Sequence, residues 1–321
     1  MTKSMNRPFH YFYLPIITVI LLQPQITTAL NLIQSENNAS LSRRQFAITS
    51  TAVLGTLSTT PKRTDAISSS PIASRFESDI LTAPPITAGT RYTGHENLYF
   101  PSWMEGEWDA TQTLTSTKAP LGLAFVGGPQ GSLEVAKATM SEQEQRLNQP
   151  VRLKLKFVKT KFGVVEDRAF NFKSRLNSFA GRNVVASVEY ADVRESNRAA
   201  VLAAGGEETD PLTTTVVYFK GPAAQKTFVI SHGQDPLDGD DWSGYEVDRS
   251  IFALTNTNTA PPVTTDTEVV YEFRKIGNGN VVEGRLRLAG YLNPQADKLY
   301  FDARNRAVSL NDYTLTLKRS S

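Results

Sequence analysis

The sequence contains no cysteine, which excludes disulfides, iron–sulfur ligation, thiolate zinc sites and thiol catalysis. Histidine is scarce as well, with three residues, His10, His95 and His232. His10 falls in an N-terminal leader, so any imidazole chemistry would rest on His95 and His232, which are too isolated to argue as a pair. No apolar run is long enough to cross a bilayer comfortably. An excess of either charge is also missing once the chain is divided. Residues 1–66 hold six basic groups against two acidic ones, leaving 28 basic and 30 acidic groups in the remainder. A near-neutral body has no electrostatic reason to bind nucleic acid. What is present is ordinary for a globular chain: 321 residues, 40% of them hydrophobic, enough for a sizeable core in one large domain or two modest ones.

The leader has two parts. Behind Lys3 and Arg7, residues 11–22 (YFYLPIITVILL) have the positive flank and short apolar core of a secretory signal, and Thr27-Thr28-Ala29 supplies small residues for cleavage. A Ser/Asn-rich segment follows, then Ser42-Arg43-Arg44-Gln45-Phe46 before a second, milder apolar run to Leu57, closed by small-residue sites at Ala66 or near Ala73. The Ser-Arg-Arg-x-Phe run resembles the twin-arginine export signal, making Arg43 and Arg44 the targeting residues. Thr-Thr-Ala-Leu resembles the junction in plastid presequences of diatoms and related algae, with Leu30 in place of the usual aromatic residue. Nested signals of this kind imply a soluble protein of the plastid thylakoid lumen. The expected division is 1–29 signal peptide, 30–66 plastid transit and twin-arginine signal, 67–97 flexible tether, and 98–321 a single β-barrel domain without a transmembrane segment.

From Phe100 onward the chain reads mostly as strand. Val151–Phe157 alternates strictly, with Val151, Leu153, Leu155 and Phe157 on one face and Arg152, Lys154 and Lys156 on the other. Runs over 183–190, 213–220 and 226–231 are β-branched or aromatic. Residues 268–276 and 281–289 flank Gly277-Asn-Gly-Asn280, a hairpin signal. Further strands are expected over 298–303 and 307–318, a short helix over 167–179, a helical or irregular excursion over 132–149, and a loop over 203–211. Sequential strands in these numbers predict an all-β fold, an antiparallel up-and-down barrel of about 8–10 strands with one or two short helices.

Phe100-Pro-Ser-Trp-Met-Glu-Gly-Glu-Trp108 is the densest cluster. Gly106-x-Trp108 opening the first strand resembles the start of lipocalins and other calycins. That resemblance implies a glycine passing beneath the barrel, a Trp plugging its closed end, and a basic side chain across the Trp ring, here Lys318 or Arg319. Together with Pro120-Leu-Gly122, Glu166-Asp-Arg-Ala-Phe-Asn171 and Asp312-Tyr313, the cluster resembles an uncharacterised family shared by cyanobacteria and plastids, a domain of unknown function with lumenal presequences. The resemblance covers most of 98–319 and implies no catalytic residues.

Other candidates have everyday readings beside the functional ones. The acidic stretch Asp235–Asp241 offers carboxylates for calcium, but it lacks EF-hand spacing, and Asp and Gly are also what a solvated turn requires. Arg285, Arg287, Arg304 and Arg306 suit either an anion-binding wall or the wet face of strands. Trp242, Tyr245, Phe228 and Tyr218 read as core or barrel-mouth aromatics. Gly127-Gly128 lacks the setting of a phosphate loop. No cofactor, metal or catalytic motif is assigned. The function expected from these features is a non-catalytic barrel binding a small apolar or amphipathic ligand (pigment, quinone or lipid). An assembly or maintenance factor for a photosynthetic membrane complex is the alternative, and a pigment-modifying enzyme ranks last.

Overall fold

A computed structural model describes residues 71–85, 97–191, 213–256 and 262–320. The leader with Arg43 and Arg44, His95, and the loop expected over 203–211 lie outside the described residues. Ten strands form one antiparallel sheet: β1 (Gly106–Lys118), β2 (Pro150–Lys159), β3 (Val164–Glu166), β4 (Val185–Tyr190), β5 (Thr214–Phe219), β6 (Ala223–Gln234), β7 (Asp241–Leu254), β8 (Val263–Ile276), β9 (Val281–Tyr291) and β10 (Ser309–Arg319). Their order is β3-β2-β1-β10-β9-β8-β7-β6-β5-β4. Every neighbour is a sequence neighbour except at one seam, where β1 pairs with β10. The free edges are therefore β3 and β4, in the middle of the chain. This is the all-β, up-and-down, barrel-like fold expected from the alternation.

Among the described residues three α-helices accompany the sheet: α1 (Leu133–Gln145), α2 (Arg168–Phe179) and α3 (Tyr300–Ala303). α1 opens on Ser132, whose side chain accepts from the Val135 amide, and α2 opens on Asp167, which accepts from Phe170 N at 3.2 Å. α2 spans the gap between the two edges. On the β2 side, Asn171 accepts from Lys156 N at 2.7 Å and donates to Lys156 O at 3.1 Å, while Ser174 accepts from Lys154 N at 3.0 Å. On the β4 side, Asn177 accepts from Val184 N and Val185 N, and the Tyr190 hydroxyl accepts from Ala169 N. Side chains of the helix thus take the place of a missing strand along edges that would otherwise present bare amides and carbonyls.

The inward face of the sheet carries the main core, including Trp108, Leu153, Leu155, Phe157, Trp242, Val269, Phe273, Leu286, Leu288 and Leu317. Gly284 is obligatory here, because a Cβ on it would stand 2.6 Å from the Phe273 ring.

Two expectations need correction. Residues 298–303 are not a strand. Ala303 N bonds Leu299 O to close a helical turn, and Arg304 at φ 52° ends it in the left-handed region. The aromatic pair Tyr300-Phe301 imitated a strand because local β propensity reflects packing more than backbone preference. Second, the acidic stretch is a turn over residues 235–240, as expected, but the residues after it, for which no strand was expected, form β7, a strand of 14 residues. Residues 71–85, within the stretch read as a tether open to partial ordering by docking, lie against the outer face of the sheet. Arg75 pairs with Glu268 at 2.6 Å, and Phe76 lies beneath Arg285 with 4.6 Å between guanidinium carbon and ring centroid. Ala83 N bonds Asn305 O, and Ala307 N bonds Leu81 O.

Candidate ligand site

The signature residues gather at one end of the sheet interior. Trp108 is fully buried, and its indole Nε1 donates to Met104 O at 2.8 Å. The guanidinium carbon of Arg319 stands 4.4 Å from the centroid of the Trp108 ring. Arg319 Nη1 and Nη2 donate to Glu105 O and Trp103 O. Gly106, at φ 121°, lies so near that a Cβ would come within 2.8 Å of Arg319 Nη1. Lys318 is the next residue along β10, facing the other way, opposite Asp109. Phe100, Phe157, Trp242 and Phe273 fill the remaining space, with Trp242 and Phe273 stacked at 6.0 Å. That end is occupied by its own rings.

Further along the same strands the inward positions become polar. Register places Trp242 opposite Phe273, but two and three rungs on, Glu246 faces Val269 and Asp248 faces Thr267. Here the inner face of α2 arrives. Residues Arg168, Asn171, Phe172 and Leu176 are buried at helical spacing, with Arg175 one turn beyond Asn171 on the same face. Between helix and sheet lies a cavity of about 40 Å³, lined by the polar residues Gln112, Glu166, Arg168, Arg175, Glu246, Asp248 and Tyr271 and by the apolar residues Phe172, Leu176, Val269, Leu286 and Leu288. A volume of that size admits a few waters or a compact headgroup, well short of the several hundred Å³ that enclose a drug-sized ligand.

The polar wall is tightly organised. Arg168 clasps Glu246 with both terminal nitrogens, Nη1 to Oε1 at 2.6 Å and Nη2 to Oε2, and Nη2 also reaches Asn97 Oδ1. Arg175 and Asn171 both donate to Glu166 Oε1. Burial alone would depress the Arg168 guanidinium. The charges of Glu246, Asp248 and Glu166 more than offset this, so its pKa rises. Burial likewise opposes ionisation of Glu166, but Arg175, Arg168 and Asn171 together hold its carboxyl below the usual range. Asp248 goes the other way. Burial first, then the neighbouring Glu246 carboxylate, push it well above the ordinary carboxylate range, although Arg168 pulls it down. Burial also raises the Tyr271 phenol. Two buried atoms of this wall, Arg168 Nε and Asp248 Oδ1, have no hydrogen-bond partner.

Beyond Asp248 the interior continues in hydroxyls and an amide. Gln225 Nε2 donates to Thr227 and Ser250, whose hydroxyls are 2.9 Å apart. His232 lies opposite Glu246 on the β6–β7 ladder. The other candidates fall outside the cavity. Asp240 and Asp241 pair with Lys275 and Arg274, and among the described residues no group of three or more His, Asp or Glu is disposed to hold a metal ion. Arg285 and Arg287 point outward but are covered rather than wet. Arg287 binds Asp312 and the carbonyls of Arg75 and Ser78, and Arg285 binds Glu272 and Glu77. Arg306 donates to carbonyls of the α3 turn. Trp242 is core, whereas Tyr218 is 40% exposed.

Sequence reading missed the Glu166–Arg168–Arg175–Glu246–Asp248 cluster as a site. One signal for it lies in the sequence, since Glu166-Asp-Arg-Ala-Phe-Asn171 supplies two of its members, Glu166 and Arg168, and Asn171, which donates to Glu166.

The fold and cavity define a class: an antiparallel β half-barrel, closed by a helix over a small charged interior. Residues 92–321 match a domain of unknown function, DUF6816, and the chain belongs to that family. No curated protein and no solved structure matches it. Among the described residues no helix is long and apolar enough to cross a membrane.

Proposed function

We propose that this protein is a non-catalytic, calycin-like binding protein of the plastid thylakoid lumen, whose cavity takes the polar end of a small amphipathic molecule. The observation that carries the binding reading is the pair of buried atoms, Arg168 Nε and Asp248 Oδ1, left without partners in a cavity whose lining mixes charged and apolar residues. Buried polar groups without partners are costly, so a site that retains them has a use for them. A wholly apolar pigment or quinone fits less well, because it would strand the ion cluster. The cavity is small, and a ligand longer than its headgroup requires α2 to shift. That helix is held to both edges through side chains, which makes the shift the natural route of entry. The Arg319–Trp108 clasp supports the calycin-like reading, and Arg43-Arg44 behind a first signal supports the lumenal address.

Native mass spectrometry of the chain isolated from thylakoid lumen tests the binding role. A discrete small-molecule adduct that is lost on denaturation is expected, and a bare mass in every preparation would overturn it. A reporter fused to residues 1–66 tests the address, because secretory-pathway fluorescence alone would exclude it.

A second reading, docking on a photosynthetic membrane complex, draws on Phe301, which is 82% exposed beside Tyr300, and on Leu133 at 55%. Co-migration with such a complex on native gels, lost in Phe301→Ser, would support it.

A further inference from the structure

The charge inventory of the cavity wall singles out one group. Five charge-bearing side chains face the space: Glu166 from β3, Glu246 and Asp248 from β7, and Arg168 and Arg175 from α2. Tyr271 from β8 is the remaining titratable group of the lining, and His232 of β6 stands across the ladder from Glu246. The two guanidiniums are each committed to a carboxylate, Arg168 to Glu246 and Arg175 to Glu166. Asp248 is the odd carboxyl. It is 5% exposed, and its Oδ1 meets no donor among the described residues.

The three kinds of occupant are not equivalent. An anion could take the free Arg168 Nε, but it would be set among three carboxyl groups with both guanidinium charges already paired to Glu246 and Glu166. A neutral molecule could bond to Asp248 but would leave the set one positive charge short whenever that carboxyl ionises. A monocation completes it. A divalent metal is a poor match, because Asp248 alone would have to supply the ligating charge. A protonated amine needs only an anionic acceptor and a few oxygens, and the Tyr271 hydroxyl and Gln112 amide share the wall with Asp248. The apolar residues of the lining, among them Phe172, Leu176 and Val269, suit a short alkyl group on that amine.

We propose that the cavity is a site for a small organic cation, a protonated primary amine or a similarly compact ammonium headgroup, paired with the carboxylate of Asp248. The inference rests on reading this cavity as the ligand site and names the headgroup it takes. Binding is then an exchange. The Asp248 carboxyl gives up its proton to solvent, the carboxylate accepts an N–H of the ammonium, and one proton is released per ligand bound. Affinity rises with pH for as long as Asp248 is protonated in the free protein, by up to about tenfold per pH unit.

The test compares propylammonium, 1-propanol and propionate on the purified full chain with methyl-labelled Val, Leu and Ile, following the Val269, Leu286 and Leu288 methyl resonances. Propylammonium is expected to shift them at a concentration at least tenfold below that of either analogue, and to release about one proton per site, read with an indicator dye in weak buffer. Asp248→Asn should abolish the preference. Proton release by the wild-type chain decides the matter independently if that variant folds poorly. Equal or stronger response to propanol or propionate, or ammonium binding without proton release, would overturn the cation inference and leave a ligand site standing. No response to any of the three would remove the ligand site itself.

Discussion

Two stretches of the same sheet interior, a few rungs apart, solve the burial problem in opposite ways. At the seam end, β7 and β8 contribute Trp242 and Phe273, stacked on each other with Phe100 tilted against them, in the same core as Trp108. Under α2 the same two strands contribute Glu246, Asp248 and Tyr271 around an open space. Apolar burial at the seam end is non-directional and tolerates only close packing. The charged middle is directional, and its stability comes from partnership: each ion is expensive alone and acceptable in a pair. The first region therefore suits a plug and the second a site.

The largest effects should separate these regimes. Trp108→Ala should cost about 3–5 kcal/mol through the cavity it leaves, measured by urea unfolding, and adding Phe273→Ala should make matters worse. Arg168→Met should cost a similar amount, about 3–5 kcal/mol, because it strands the buried Glu246 carboxylate. Here the second substitution rescues, and Arg168→Met with Glu246→Met should recover most of the loss. A double-mutant cycle showing simple additivity at Arg168 and Glu246 would erase the contrast.

A smaller effect is expected where the helix covers the sheet edge. Asn171→Ala exposes Lys156 N and O and takes a donor from Glu166, a loss of about 1–3 kcal/mol. Amide exchange at Lys154 and Lys156 should accelerate while the Trp108 amide stays protected.

The next effect is one of slope. Asp248 binds its proton more tightly in the folded chain than in the unfolded one. Its stabilising contribution is therefore complete below the ordinary carboxylate range and is lost as pH rises through the raised value. That slope is at most about 1.4 kcal/mol per pH unit. Glu166, held low, acts in the opposite sense and loses its contribution as pH falls below the ordinary range. Thermal midpoints across pH should show the Asp248 slope in the wild type and its absence in Asp248→Asn. Smallest is Arg319→Gln, at about 0.5–1 kcal/mol for an exposed cation–π contact, read as a modest drop in urea midpoint with the tryptophan environment altered.

The apolar regime was legible in the sequence and the charged one was not, for a physical reason. β2 announces itself because Leu153, Leu155 and Phe157 alternate with Arg152, Lys154 and Lys156. The β8–β9 hairpin does so because Gly277 and Gly279 accept positive φ, at 57° and 84°. β7 turns Trp242, Gly244, Glu246, Asp248, Ser250 and Phe252 inward, so its buried face reads as polar and the period vanishes. α2 was legible over 167–179 through the spacing of its apolar residues, but the polar part of its inner stripe, Arg168, Asn171 and Arg175, gave no sign of facing a cavity. Hydrophobic periodicity detects burial only where burial is apolar. The docked segment 71–85 escaped for another reason: its anchors, Glu268 and Arg287, lie about two hundred residues away in sequence, where no local pattern can point to them.

The seam between β1 and β10 also bears on how the protein is made. Arg319 meets the Glu105 carbonyl across 214 residues of chain, and Trp108 is not capped until the final strand is in place. Pairing of such distant partners is slow to find. A chain emerging N-terminus first cannot complete this fold until β10 has been made, and its aromatic end stays unsealed until then. Any machinery that accepts only finished cargo would have a ready mark of completion in the closure of that one strand.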